Sequence, residues 1–141
     1  MDTIVLSDAS RIIAGSVLLT IVGIEFGGWY LMRIVRGKEK LTEFQQRFAR
    51  AGHAHAGVLV TLALVCLVLA DAAGLTGALG WIARVAVPLA ALLISGGFFF
   101  SSMGRGEVTQ PNKLIAMIWT GALSLAVGVV SIGLGLLTAA S

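Results

Sequence analysis

Along the chain, apolar residues do not alternate with polar ones. They gather in four long blocks, Ile12 to Met32, Gly52 to Ala70, Trp81 to Met103 and Leu114 to Leu137, separated by short polar segments. Each block is close to the roughly 20 residues that a helix rising about 1.5 Å per residue needs to cross a hydrocarbon core of about 30 Å. The pattern predicts an all-α polytopic membrane protein. A single domain over residues 1–141 is expected to fold as a four-transmembrane-helix bundle, with helices over about residues 12–34, 42–71, 81–103 and 112–138.

Local signals refine the ends of these helices. Thr42-Glu43-Phe44-Gln45 has the spacing of a capping box, in which the Thr hydroxyl and the Gln side chain each satisfy a backbone amide at a helix start. The second helix is therefore expected to begin in the polar loop, with Phe44, Phe48 and Ala51 on one stripe and Arg47 and Arg50 reaching back to lipid phosphates. Gln110-Pro111 suits the start of the fourth helix, and Pro88 is expected to kink the third unless neighbours repair the hydrogen-bond ladder.

Composition agrees with a lipid-facing surface. The chain is 57% hydrophobic and only 12% charged, and its mean hydropathy is +0.96. A soluble domain is about a quarter charged. The net charge of +3 does not indicate nucleic acid, because six of the ten Lys and Arg residues lie between Arg33 and Arg50 and flank a hydrophobic block. Lys and Arg in short loops mark the cytoplasmic side. Arg33, Arg36, Lys38, Lys40, Arg47 and Arg50 in the first loop, with Arg105 and Lys113 in the third, contrast with Arg84 alone near the second. This predicts both termini outside, two cytoplasmic loops and residence in the bacterial inner (plasma) membrane. The first block is not expected to be a cleaved signal, since it is long and is preceded by Asp2 and Asp8 against a single Arg11. The basic hairpin is also suited to anionic lipid, each Lys or Arg near the surface contributing about 1 kcal/mol. The one cysteine, Cys66, lies within an apolar block and excludes a disulfide framework or a cysteine-built metal site in a single chain.

Helix association in lipid relies on close backbone approach through small residues. Gly121, Ser124, Gly128, Ser131 and Gly135 recur at three-four spacing along one seam of the fourth helix. The seam serves packing within the chain or, alternatively, a homo-oligomer. Gly23 and Gly27 in the first helix and Gly96-Gly97 in the third offer further close-contact points.

A charged side chain at the centre of a membrane helix costs about 2.5 to 3.5 kcal/mol on insertion scales, so each ionisable group there asks for a partner or a role. Glu25 is the deepest, about eight residues or roughly 12 Å beyond Arg33. His53 and His55, the two histidines of the chain, follow within Arg50-Ala51-Gly52-His53-Ala54-His55-Ala56-Gly57. At about 100° per residue the two imidazoles point about 200° apart and cannot chelate one ion together. They are left to separate axial ligation of two haems, to one haem site with its second ligand elsewhere, or to unrelated hydrogen bonds. The small residues around them admit a flat macrocycle or another helix. Glu25 and His55 are expected at similar depth in the first hairpin, where a carboxyl–imidazole hydrogen bond would orient a ligand or carry protons.

The His53-Ala54-His55-Ala56-Gly57 segment resembles the His-x-His transmembrane helix of haem-copper oxidase subunit I and its small four-helix relatives. The likeness covers one helix. It implies that His53 and His55 serve as axial ligands to haem, and that Arg47 and Arg50 meet haem propionates. With no further histidine, the chain cannot build a three-imidazole copper site and is not an oxidase on its own. The four-helix pattern with a basic first hairpin also resembles other bacterial membrane proteins, a likeness that implies no activity.

Three functions fit these residues. The first is a small membrane protein with an intramembrane Glu/His site, most concretely a haem-binding or electron-transfer-associated subunit. The second is a homo-oligomeric channel or transporter with a proton or cation path through Glu25 and His55. The third is an accessory subunit of a larger membrane complex. No loop carries paired carboxylates, an activated nucleophile or a phosphate-binding glycine loop, so nothing marks a soluble active site.

Overall fold

A computed structural model describes residues 5–104 and 106–139; Asp2 and Arg105, which entered the charge reading, lie outside the described residues. Four helices follow in order: α1 Asp8–Val35, α2 Glu43–Ala72, α3 Gly77–Ser101 and α4 Ala116–Ala139, the last entered through a 3-10 turn at Lys113–Ile115. No strand occurs among the described residues. All four helical segments are long and apolar enough to cross a membrane. With four antiparallel passes, both ends of the described chain lie at one end of the bundle, and the basic α1–α2 and α3–α4 connections lie at the other.

The capping box at Thr42 forms as its spacing predicts. Gln45 N donates to Thr42 Oγ1 at 3.2 Å, and Thr42 N donates to Gln45 Oε1 at 3.1 Å. The same two side chains fasten α2 to the far loop, since Thr42 Oγ1 donates to Val108 O and Gln45 Nε2 to Ser102 O. Gly37 and Gly74 close α1 and α2 in the left-handed region, with φ of 67° and 61°. In each case the two following amides turn back on the last carbonyls, as in Leu75 N to Ala70 O at 3.0 Å.

Three boundaries differ from the pattern of apolar blocks. Helix α1 begins at Asp8 because Ser7 caps it, its side chain accepting from Ser10 N at 3.2 Å. Helix α3 begins at Gly77, ahead of Trp81. Pro111 does not open α4. Asn112 heads the 3-10 turn instead, its side-chain oxygen accepting from Leu114 N at 2.8 Å while its amide nitrogen holds Phe100 O at 2.9 Å. Helix α3 runs unbroken through Pro88.

Helix α3 is the centre of the bundle, with eleven buried positions against three in α1. Its partner on one side is the small-residue seam of α4. Gly121 lies against Leu93 and Ile94, Gly128 against Ala86 and Val87, and Gly135 against Leu75. Ser124 Oγ donates across the seam to Ala86 O at 2.8 Å, while Ser131 Oγ turns back to Val127 O. In lipid these contacts act through van der Waals packing rather than removal of apolar surface from water, so the closeness of approach decides their strength.

A Cβ at Gly128 would sit 2.8 Å from Val87 Cγ2 and 3.0 Å from Ala86 Cβ, whereas one at Gly133 meets nothing within 4 Å. Gly128→Ala is therefore expected to destabilise the bundle by about 1–3 kcal/mol through overpacking. Gly133→Ala should be neutral or slightly stabilising through helix propensity. Unfolding titrations of both variants in mixed micelles check the difference.

Candidate functional site

Helix α1 lies along α2 but stays clear of α3 over much of its length, leaving a cleft of about 500 Å³ between the three helices. Its walls are almost wholly apolar. Val17, Ile24 and the glycines Gly23 and Gly27 line it from α1, Ala56 and Val60 from α2, and Leu92, Gly96, Phe99 and Phe100 from α3. The volume falls within the ~300–1,000 Å³ typical of small-molecule sites, and an apolar wall with a few convergent polar groups is the usual chemistry of such sites.

Four residues with polar side chains line the cleft: Ser16, Thr20, His53 and Ser95. The first two are spent within α1, where Ser16 Oγ donates to Ile12 O at 2.9 Å and Thr20 Oγ1 to Val17 O at 2.6 Å. Ser95 is different. It is only 9% exposed, and its hydroxyl oxygen, closed off from the open space, has no hydrogen-bond partner among the described residues, a state it shares with Ser101 at the end of α3. His53 likewise carries no hydrogen bond to another described residue. Its ring occupies the space left by two glycines of α1: a Cβ at Gly27 would be 3.3 Å from His53 Nδ1, and one at Gly28 would be 3.4 Å from its Cε1. Antiparallel pairing sets Gly52, next to His53, against Phe98 and Phe99, so Ser95 lies two to three residues, about 3–4 Å, further into the bundle than His53.

The other expected site residues are dispersed. His55 points away from α1 and is exposed. Its Nδ1 lies 2.8 Å from Ala51 O, and its ring stacks obliquely on Phe98 at 4.9 Å. Glu25 is exposed on the outer face of α1, and the expected Glu25–His55 hydrogen bond does not form within the chain. The two match in position along their helices, but the imidazole that faces α1 is His53. Arg47 forms an exposed ion pair with Glu43, one turn away; Arg50 is exposed. Among the described residues no cluster of three His, Cys, Asp or Glu could hold a metal ion. Gly121 and Gly128 face α3, Gly135 faces Leu75 of the α2–α3 turn, and none of the three lines the cleft.

At the end of the bundle opposite the basic loops, the structure assembles a polar cluster that block-by-block reading of the sequence passed over. Asp71 and Arg84 form a buried ion pair, their side chains 5% and 10% exposed. Arg84 Nε also donates to Ser10 Oγ at 3.0 Å, and Nη1 donates to Leu75 O at 2.9 Å and Gly80 O at 2.8 Å. Asp71 accepts from Ser7 N at 2.9 Å and Ser7 Oγ at 3.0 Å. The first turn of α1 is thereby tied to the α2–α3 turn. Gly80 is required here, since a Cβ would fall 2.5 Å from Leu75 O and 2.8 Å from Arg84 Nη1. The available signal was an Asp and an Arg thirteen residues apart, bracketing a short turn at the ends of two apolar blocks.

Comparison with protein-family models, curated proteins and solved structures finds no match to this chain. Its site is therefore read from its own geometry.

Asp71→Ala leaves the Arg84 guanidinium buried without its anion, and the expected cost is about 3–5 kcal/mol, whereas the paired replacement Asp71→Leu with Arg84→Met should cost far less. A double-mutant cycle on unfolding in micelles reads the coupling directly. Additive single and double effects would contradict the clamp.

Proposed function

We propose that the protein is a multi-pass protein of the bacterial inner membrane, with both termini outside and the basic loops in the cytoplasm, and that it binds a largely apolar ligand in the α1–α2–α3 cleft. The observation that carries this reading is the coincidence of volume and chemistry: about 500 Å³ of apolar space meets the imidazole of His53, whose side chain has no hydrogen-bond partner among the described residues. The asymmetry of basic loops supports the orientation.

Haem is the most concrete candidate. The residues of the cleft fit one axial ligand: His53 lines the space, and the glycines Gly23, Gly27 and Gly96 leave its walls without side-chain bulk. Arg50, one turn toward the basic end and without an ion-pair partner among the described residues, is better placed for a propionate than Arg47, which is engaged by Glu43. Bound haem would supply one-electron redox chemistry, in keeping with an electron-transfer-associated subunit. The chain itself orients the His53 ring against α1 and excludes water from the cleft with apolar side chains. His55 would lie outside this site.

The test is a reduced-minus-oxidised visible spectrum of protein purified in mild detergent from haem-replete cells, accompanied by mass spectrometry of an organic extract. A Soret and alpha band that is lost in His53→Ala and retained in His55→Ala is the expected result. A band that depends on His55 alone would move the site out of the cleft and overturn the reading. So would the absence of both a band and any co-purifying small molecule.

A further inference from the structure

The outer face of α1 carries a stripe that none of the described residues covers. Leu18, Val22, Glu25, Trp29 and Met32 follow one another at alternating spacings of four and three, and all five are exposed. This is the spacing of a helix–helix seam with left-handed crossing. At its centre is Glu25, which has no hydrogen bond or ion pair to any other described residue. A carboxyl group on a lipid-facing stripe has nothing to bond, because acyl chains offer neither donor nor acceptor.

A complementary group sits at the same depth on another face. Gly27 is level with His53 and Ser7 with Asp71, and this register places Glu25 level with His55, Val22 with Val58 and Leu18 with Leu62. His55 and Val58 are exposed and Leu62 is half-buried. The Nδ1 of His55 is held by Ala51 O, so its Nε2 points free of the helix backbone. Because His53 faces α1 and His55 is turned about 200° from it, the His55 face and the Glu25 stripe lie on different sides of the bundle.

We propose that a second copy of this chain, inserted in the same orientation, covers the α1 stripe with its His55 face and that Glu25 of one copy bonds His55 of the next. Two copies related by rotation about the membrane normal keep every residue at its own depth, so only groups that are level can meet. Glu25 and His55 meet that condition, are acid and base, and lack each other within one chain. Joining two different faces makes the contact heterologous, and repetition about the normal closes it into a ring. The proposal depends on the membrane reading but not on a ligand in the cleft, which opens on the other side of α1.

The test uses the full chain with Cys66→Ala, carrying either Glu25→Cys or His55→Cys, each with its own epitope tag. Both are co-expressed and oxidised in native membranes with copper phenanthroline. The expected result is a disulfide-linked species bearing both tags, with loss of linkage when either cysteine variant is expressed alone. Unsubstituted protein should sediment in detergent as more than one copy, and Glu25→Leu, a surface change that leaves the bundle core intact, should shift it to a single copy. Linkage of each variant only to itself, linkage of Glu25→Cys to a different protein, or a single-copy mass for the unsubstituted chain would each overturn the proposal.

Discussion

A guanidinium buried among apolar helices can persist only if its charge is paired and every N–H is directed at an oxygen, and the fold at one end of this bundle follows from that constraint. Arg84 meets Asp71, Ser10 Oγ and the carbonyls of Leu75 and Gly80. Asp71 in turn accepts from Ser7. The arrangement fixes the α2–α3 turn, demands glycine at position 80 and holds the start of α1, which otherwise has little buried surface. Ser10, Val17 and Ile34 are the buried residues of that helix. A helix so sparsely packed depends on such polar ties for its position, the more so in a bilayer, where apolar contact with acyl chains would be as favourable as contact with protein.

The consequence is a bundle with two different sides. Helix α4 is drawn tightly onto α3 by glycines that admit the neighbouring backbone, while α1 is tied at one end by the Asp71–Arg84 cluster and at the other by the packing of His53 against Gly27 and Gly28. Between these ties α1 stands off α3, and the cleft is the space it leaves. The polar groups that tie the two ends of the bundle are bonded, as at Arg84 and in the Thr42–Gln45 box. The side chains of His53, Ser95 and Glu25 are not, and neither is Ser101 Oγ, fully buried at the end of α3.

The sequence made the number of helices and the capping box legible because both depend on short-range chemistry: apolar length in the first case, and a Thr and a Gln three residues apart in the second. The close-packing role of Gly121, Gly128 and Gly135 also followed from spacing, though not which helix they face. What remained hidden was azimuth. Helix α1 is apolar on nearly every side, so its pattern does not say which stripe meets the bundle, and the depth of Glu25 was readable while its direction was not. Likewise the divergence of His53 and His55 followed from helical geometry, but which of them faces α1 depends on the glycines of another helix. The Asp71–Arg84 pair escaped because each residue, read alone, is an ordinary charge at the edge of an apolar block. The cleft escaped because a void between helices leaves no mark in either sequence.

The decisive measurement is a density map of the protein extracted from its native membrane, with a rigid binding domain for alignment or in a lipidic crystal. Ordered non-protein density between α1, α2 and α3 that reaches His53 is expected, with α1 tied at Ser7 and Ser10 to the Asp71–Arg84 pair. A map in which α1 has closed onto α3, leaving no volume beside His53, would rule out a ligand site in the cleft.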